Sequence, residues 1–291
     1  MKTIIILGPT AVGKTEFAIT LAKEKNGELI SADSMQVYRG MDIGTAKAPK
    51  ELRHQIPHHL IDIRNPDEDW TVSDFVEQAR KLGTEIRERG KVPIIVGGTG
   101  LYLWALLEGF SFPIAEADPE LRKKLEQEQL STLYVRLSTI DPKAAAKINP
   151  NDKKRIIRAL EVFELTGKPI SELQKERAPD TPHLNVGNRR VLLGLNLPRN
   201  ELYARIDQRV EEMIEKGLIE EVKGLLAKGY AKDLKSFQAL GYKEVIEYLD
   251  GKWSKEEMIK ELKKRTRHFA RRQLTWFKRF ENVQTRSSTQ D

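Results

Sequence analysis

The chain has 291 residues, enough for one large or two modest domains, and 39% of them are hydrophobic, enough to build a buried core. A total of 50 Lys and Arg against 43 Asp and Glu gives a formal net charge of +7, which points to an anionic partner. No cysteine is present, which excludes disulfides, thiolate catalysis and a zinc finger. No apolar run approaches the roughly 18 residues of a membrane span. With strand-like residues directly after the first methionine, the expectation is a cytoplasmic protein without signal peptide or membrane segment.

Thr3-Ile4-Ile5-Ile6-Leu7 reads as a buried strand. Gly8-Pro9-Thr10-Ala11-Val12-Gly13-Lys14-Thr15 then fits G-x-x-x-x-G-K-[ST] at every fixed position. Phe17, Ala18, Leu21 and Ala22 give the next segment an apolar helical stripe, so the motif stands in the strand–loop–helix setting it requires. Gly8 and Gly13 are expected to let the backbone turn so that successive N–H groups point into one hollow. The helix beginning near Lys14 adds the positive end of its dipole. Lys14 supplies a mobile charge for phosphate oxygens, and the Thr15 hydroxyl is placed to ligate Mg²⁺. The hollow suits a diphosphate or triphosphate, without saying whose.

Glu28-Leu29-Ile30-Ser31-Ala32-Asp33 reads as a second strand ending on an acid. In parallel α/β sheets functional groups collect at the carboxyl ends of strands, which places Asp33 at the same edge as the phosphate loop. A cap for the turn Ser34-Met35-Gln36 accounts for Asp33 equally well. Residues 37–49 have no sustained period and predict a long loop over the site. Leu60-Ile61-Asp62-Ile63 reads as a short strand; His54, His58 and His59 lie nearby without partners at a metal-binding spacing. Thr71-Val72-Ser73-Asp74 resembles a capping box, and Phe75, Ala79, Leu82 and Ile86 line one face of the helix after it. The strand Lys91–Val96 runs into Gly97-Gly98-Thr99-Gly100 and the apolar helix 101–107, a second strand–glycine–helix junction. Thr99 is either a helix cap or a hydroxyl pointing into the site. The glycines imply close approach of something bulky, or a tight turn.

From about Ile114 the character changes. Asp118-Pro119, Asp141-Pro142 and Asn149-Pro150-Asn151-Asp152 are helix starts. In the helix after Asp152, Ile156, Leu160 and Phe163 face inward while Lys154, Arg155 and Arg158 lie toward the other side, a pattern that fits a solvated face or an RNA contact. Ala178-Pro179-Asp180-Thr181-Pro182 reads as a linker, and residues 116–188 as an all-helical insertion between a first core part, 1–115, and a completing part, 189–291. Arg190–Leu195 is a strand that rejoins the sheet. The helix from Asn200 buries Leu202, Ile206 and Val210, with Arg205 and Arg209 one turn apart as a second phosphate clamp or as surface partners of Glu201 and Glu212. Residues 254–280 form a long helix or helix pair in which basic residues interleave with Phe269, Trp276 and Phe277, as on a nucleic-acid backbone surface. Ser287 to Asp291 are expected to fray. The fold class is α/β: a P-loop NTPase-like parallel sheet with an inserted helical subdomain and a helical C-terminus.

The strand ending in Gly97-Gly98 lacks the acidic Mg²⁺ partner of NTP-hydrolysing motors. A small-metabolite kinase and a non-catalytic RNA binder both remain compatible with the elements so far. The blocks Gly8–Thr15, Ser31-Ala32-Asp33-Ser34-Met35-Gln36-Val37-Tyr38, Gly40-Met41-Asp42-Ile43-Gly44-Thr45-Ala46-Lys47, Gly97–Tyr102, Asn151-Asp152 through Glu161, Gly241-Tyr242 and Arg272-Gln273-Leu274-Thr275-Trp276 occur in one order over nearly the whole chain. In these blocks the sequence resembles the tRNA dimethylallyltransferases, also called tRNA isopentenyltransferases. The resemblance implies transfer of a dimethylallyl group from its diphosphate to the exocyclic amine of the adenosine just 3′ of the anticodon in tRNAs with an adenosine-rich loop. By family position Asp33 would be the general base and Thr99 would steady a flipped base. Lys14 and Arg205 would contact pyrophosphate, with Gly8 to Thr15 as its cradle and Mg²⁺ on Thr15. Asp33, Ser34, Met35 and Gln36, together with Thr99, Arg122, Lys154, Arg155, Ile156, Ile157 and Arg158, would meet the tRNA anticodon stem-loop. A monomer is expected.

Overall fold

Ile5 and Ile6 are completely buried in the middle of β1 (Thr3–Leu7), as a strand covered on both faces demands. The structure, a computed structural model, describes residues 2–108, 118–173 and 190–287. In chain order β1 is followed by α1 (Lys14–Lys25), β2 (Gly27–Ser31), α2 (Lys50–Gln55), β3 (His58–His59), α3 (Val72–Glu88), β4 (Val92–Gly97) and α4 (Gly100–Glu108). The helices α5 (Pro119–Gln127), α6 (Leu130–Ile140), α7 (Pro142–Ala145), α8 (Lys153–Thr166) and α9 (Ile170–Leu173) come next. The chain then continues through β5 (Arg190–Asn196), α10 (Arg199–Glu215), α11 (Leu218–Ala227), α12 (Tyr242–Leu249), α13 (Lys255–Phe277) and β6 (Gln284–Ser287).

The strands form one sheet in the order β3-β2-β4-β1-β5-β6, and every pairing is parallel. Leu7 is opposite both Gly97 and Gly194, and Ser31 is opposite Val96, so the carboxyl ends of β1, β2, β4 and β5 lie level. That register brings Gly8, Asp33 and Gly98 to one edge, where open α/β sheets bind ligands. The capping box on α3 forms as the sequence indicates: Thr71 Oγ1 accepts from Asp74 N, and the Asp74 carboxylate accepts from Thr71 N. A single helix, α13, occupies the C-terminal region, opened by a Ser254–Glu257 capping box. Its inner stripe of Met258, Leu262, Thr266, Ala270, Gln273 and Phe277 is buried. Four of its basic side chains are paired, Lys263 with Glu211, Lys264 with Glu261, Arg265 with Glu244 and Arg267 with Asp207.

Two expectations change. The sheet pairing falls on His58-His59 and not on Leu60–Ile63, because Leu60 and Asp62 take left-handed backbone (φ 62° and 56°) that cannot extend a strand. Ser287 is the last residue of a sixth strand paired with β5, while 288–291 and the proposed linker 178–182 lie outside the described residues.

The chain divides into two compact units, residues 1–106 with 184–291, and residues 107–183. The second is all-helical where described. Asp118, Asp141 and Asp152 accept backbone N–H groups at the starts of α5, α7 and α8, and Gly167 (φ 68°) closes α8 in the left-handed conformation that glycine adopts freely. Its core gathers Leu125, Leu133, Leu137, Ile156, Ile157 and Leu160.

Candidate active site

The phosphate loop is built by two glycines with different tasks. Gly13, the cap of α1, has φ 91°, and Ala11 also lies in the left-handed region at φ 64°. Gly8 has no such angle; a Cβ there would stand 2.7 Å from the carbonyl oxygen of Leu195 on the β5 side. Lys14 Nζ folds back to donate to the Pro9 carbonyl (2.6 Å). Burial, and then the guanidinium of Arg209, push the Lys14 ammonium down to about 7 against the opposing pull of Asp33 and Glu16. The half-buried Thr15 lines the same space. The loop's N–H groups do not all serve a hollow: Thr10 N donates to Gln273 Oε1 (2.8 Å), so Thr10 offers a ligand no main-chain donor in this arrangement.

Asp33 has both roles that its position allows. Its Oδ1 accepts from Met35 N (2.8 Å) and Gln36 N (3.3 Å), which is the turn cap, and the carboxylate also lines the cavity beside the phosphate loop. Burial raises its pKa above the ordinary aspartate value; the two N–H donors, Lys14 and Lys47 pull the other way. Thr99 stands at the start of α4, and its hydroxyl oxygen accepts from Ser34 N (3.2 Å), tying the second glycine junction to the turn after β2. Gln36 accepts from Ser31 Oγ (2.9 Å) and donates to the Thr45 carbonyl (3.2 Å).

The 37–49 loop is clamped from two sides. Lys47 Nζ, on a side chain only 1% exposed, donates to the Tyr38 carbonyl, Asp42 and Asp62, each at 2.6 Å. The Glu221 carboxylate accepts from Asp42 N (3.0 Å), Ile43 N (2.8 Å) and the Tyr242 hydroxyl (2.5 Å). His58 also borders the cavity, with Nδ1 against the Ile56 carbonyl (2.6 Å), and burial lowers its pKa. His59 instead pairs with the buried Glu28. Among the described residues no three His, Asp or Glu are grouped to hold a metal ion.

These residues enclose a cavity of about 350 Å³ in the sheet-bearing unit. The phosphate loop from Thr10 to Thr15, Asp33 to Gln36, Thr99 and Arg209 meet there, and Met213, Leu240, Leu262 and Phe269 add an apolar wall. Of the two arginines that the sequence offers as a phosphate clamp, Arg205, the one family position singles out, is exposed and does not border the cavity; Arg209, one turn further along α10, does. Both arginines project near one face of the helix, and only the way α10 packs decides which reaches the cavity.

The insertion residues divide three ways. Ile156 and Ile157 are 0% and 5% exposed in the helical core, so their side chains cannot meet an RNA. Arg122 and Arg158 both bind the fully buried Glu161, Arg122 through Nε and Nη2 (2.7 and 2.9 Å) and Arg158 through Nη1 (2.6 Å). Lys154 and Arg155 are exposed at the start of α8, the latter 3.3 Å from Asp152. Sequence reasoning gave no role to Lys47, Glu221 or Gln273. Lys47 and Gln273 stand inside recognisable blocks, but Glu221 lies 179 residues from Asp42 and carries no local signal.

A profile of the IPP transferase family matches residues 36–280, and one of the isopentenyl transferases matches residues 1–64. The chain belongs to the tRNA dimethylallyltransferase family. Within that family it is 52% identical over 282 residues to a tRNA dimethylallyltransferase of Carboxydothermus hydrogenoformans, covering 96% of this chain and 89% of the relative. It is 48% identical over 283 residues to that of Pelotomaculum thermopropionicum, covering 96% and 88%. Among solved structures of family members, a tRNA isopentenylpyrophosphate transferase of Bacillus halodurans superposes with a TM-score of 0.71 at 47% identity, covering 99% of this chain and 90% of the other. A eukaryotic dimethylallyltransferase captured acting on tRNA gives a TM-score of 0.85 at 32% identity, covering 99% and 74%. The fold and the enzyme class are those of this family, a transferase on a P-loop-like parallel sheet. No helix among the described residues is long and apolar enough to cross a membrane.

Proposed function

We propose that this enzyme moves the dimethylallyl group of dimethylallyl diphosphate onto the exocyclic amine of the adenosine 3′ of the anticodon in tRNAs with adenosine-rich loops, releasing pyrophosphate. The observation that carries the reading is that the Asp33 carboxylate, Thr99 and the phosphate loop border one cavity. An adenine amine is a weak nucleophile because its lone pair is delocalised into the ring. As its nitrogen bonds to the prenyl C1, the C1–O bond breaks toward diphosphate and the amine proton passes to Asp33. Desolvation strengthens Asp33 as a base for that proton. Lys14, Arg209 and the main-chain N–H groups at the start of α1 take up the charge developing on pyrophosphate. The apolar wall suits the five-carbon chain and keeps water from competing as acceptor.

Mg²⁺ fits the donor set. With no metal-holding group of His, Asp and Glu among the described residues, Thr15 would hold the ion together with diphosphate oxygens and water, the manner in which Mg²⁺ is commonly bound with phosphates. When bound, it would neutralise charge on the leaving diphosphate. A stacked adenine cannot reach the cavity, so the base must leave the loop, and Thr99, which lines the cavity, is assigned to steady it. Lys154 and Arg155, exposed on the insertion, are assigned to tRNA phosphates. Replacing both by alanine is expected to weaken anticodon stem-loop binding and reduce its salt slope by roughly 2 while leaving the melting temperature unchanged; an unaltered slope removes them from the interface.

Incubation with Mg²⁺, labelled dimethylallyl diphosphate and an anticodon stem-loop carrying the adenosine tests the reading. Label in the RNA, lost when that adenosine is replaced, supports it. No transfer, with ATP consumed on a small hydroxylated metabolite instead, overturns it.

A further inference from the structure

Gln273 lies on the inner face of α13, 4% exposed, with both ends of its amide in use. Its Oε1 accepts from Thr10 N (2.8 Å) in the phosphate loop, and its Nε2 donates to the Gly98 carbonyl (2.9 Å) in the β4–α4 junction. Chemistry fixes the orientation of the amide: the Thr10 main-chain nitrogen is only a donor, and the Gly98 carbonyl only an acceptor. A Cβ on residue 98 would stand 2.2 Å from Nε2, so glycine is what admits the amide there. Gly98 precedes Thr99, whose hydroxyl holds Ser34 N, and Ser34 follows Asp33. One buried side chain therefore joins the diphosphate cradle to the residues assigned to the acceptor base.

We propose that Gln273 is a positioning residue for prenyl transfer: its amide sets the spacing between the phosphate loop and the Asp33–Thr99 platform, so that donor carbon and acceptor nitrogen meet in line. This rests on the assignment of those two regions made under the proposed function. Gln273 borders the cavity as well, but both of its hydrogen bonds are spent on the main chain, one on each junction. Losing them leaves each substrate's own contacts in place and alters the geometry in which the two meet. A misplacement of about 1 Å between reacting groups can cost about 100-fold in rate. Glutamine suits the task because its tip holds one acceptor and one donor. Glutamate would set a carboxylate oxygen against the Gly98 carbonyl, and methionine would fill the space while leaving Thr10 N and Gly98 O without partners.

The test measures single-turnover transfer in Gln273→Glu, Gln273→Met and Gly98→Ala, together with separate dissociation constants for pyrophosphate and for an anticodon stem-loop. The expected result is a rate about 10- to 100-fold lower, with both dissociation constants within about 3-fold of the parent and the folded fraction unchanged. Gly98→Ala should reproduce the loss because its methyl displaces the amide, and adding Gln273→Met to it should cost nothing more. It also carries the test if the Gln273 variants do not fold. A rate loss that tracks the folded fraction or a weakened pyrophosphate affinity would make the residue structural and overturn the proposal, as would an unchanged rate. Asp33→Asn is run in parallel. If it keeps the parent rate, the assignment of the site has failed; if it collapses while the Gln273 and Gly98 variants do not, the bridge alone has failed.

Discussion

Two strand–glycine–helix junctions stand side by side at the carboxyl edge of the sheet, and they look alike in the sequence. In β1–α1, Gly13 takes a left-handed φ of 91° at the start of α1, and the loop it closes borders the cavity. In β4–α4, Gly97, Gly98 and Gly100 are absent from the left-handed region and are small because neighbours crowd them. A Cβ on Gly97 would stand 2.2 Å from the Ala32 carbonyl, and one on Gly100 would stand 2.6 Å from Trp276 Cβ. The first junction is the one we assign to the diphosphate, and the second, bordering the same cavity, is also a seat for β2 and α13. A dihedral angle requires glycine at Gly13, and space requires it at Gly8 in the first junction and throughout the second.

The largest effect expected on this pair falls on the acceptor side. Asp33→Ala should lower turnover by about 100-fold or more, the scale of losing a general base, with little change in RNA affinity. RNA affinity falling as steeply as turnover would remove the division of labour between the junctions. Because burial raises the Asp33 pKa and only the ionised form accepts a proton, activity should fall as pH drops through that raised value. The acid limb should therefore lie above the ordinary aspartate value of about 3.9 and vanish in the variant.

Gly97→Ala and Gly13→Ala sharpen the contrast directly. The first forces a methyl into the main chain of Ala32 and should destabilise the fold by about 3 kcal/mol or more without a specific effect on pyrophosphate. The second should cost about 1–2 kcal/mol through its positive φ and weaken pyrophosphate binding as well. Thermal denaturation with and without pyrophosphate separates them, and equal responses would break the comparison. The smallest effect is a proton. Lys14, held near 7, is mostly neutral at pH 8 in the free protein, and bound diphosphate favours its charged form. Binding at pH 8 should therefore take up close to one proton. Calorimetry in buffers of different ionisation enthalpy reads this, and Lys14→Ala should abolish the uptake.

Parts of the site were legible because they depend on near neighbours. The phosphate loop, the strand end at Asp33 and the Thr99 junction each lie within one short segment, and the parallel sheet's register brings them level. Arg205 and Arg209 show where this stops. They are four residues apart, about 6 Å along the helix axis, so periodicity places them on the same side and cannot say which reaches the cavity. Ile156 and Ile157 are the reverse case. Their place in a contiguous segment that resembles the family's tRNA-contacting stretch points to RNA, yet residue spacing already puts Ile156 inside, where the structure buries it. Arg122 and Arg158 read as free positive charge until Glu161, buried between them, claims both.

The sequence by itself determined the strand–loop–helix cradle, the helix caps at Thr71, Asp118 and Asp152, and the acid at the end of β2. These depend on dihedral preferences and hydrogen bonds that close within a few residues. The tertiary structure alone decided that Arg209 and not Arg205 borders the cavity, that Glu221 clamps the 37–49 loop, and that Gln273 ties the two junctions together. The loop partners of Glu221 and both partners of Gln273 lie 175 to 263 residues away in the chain, so no local pattern encodes them.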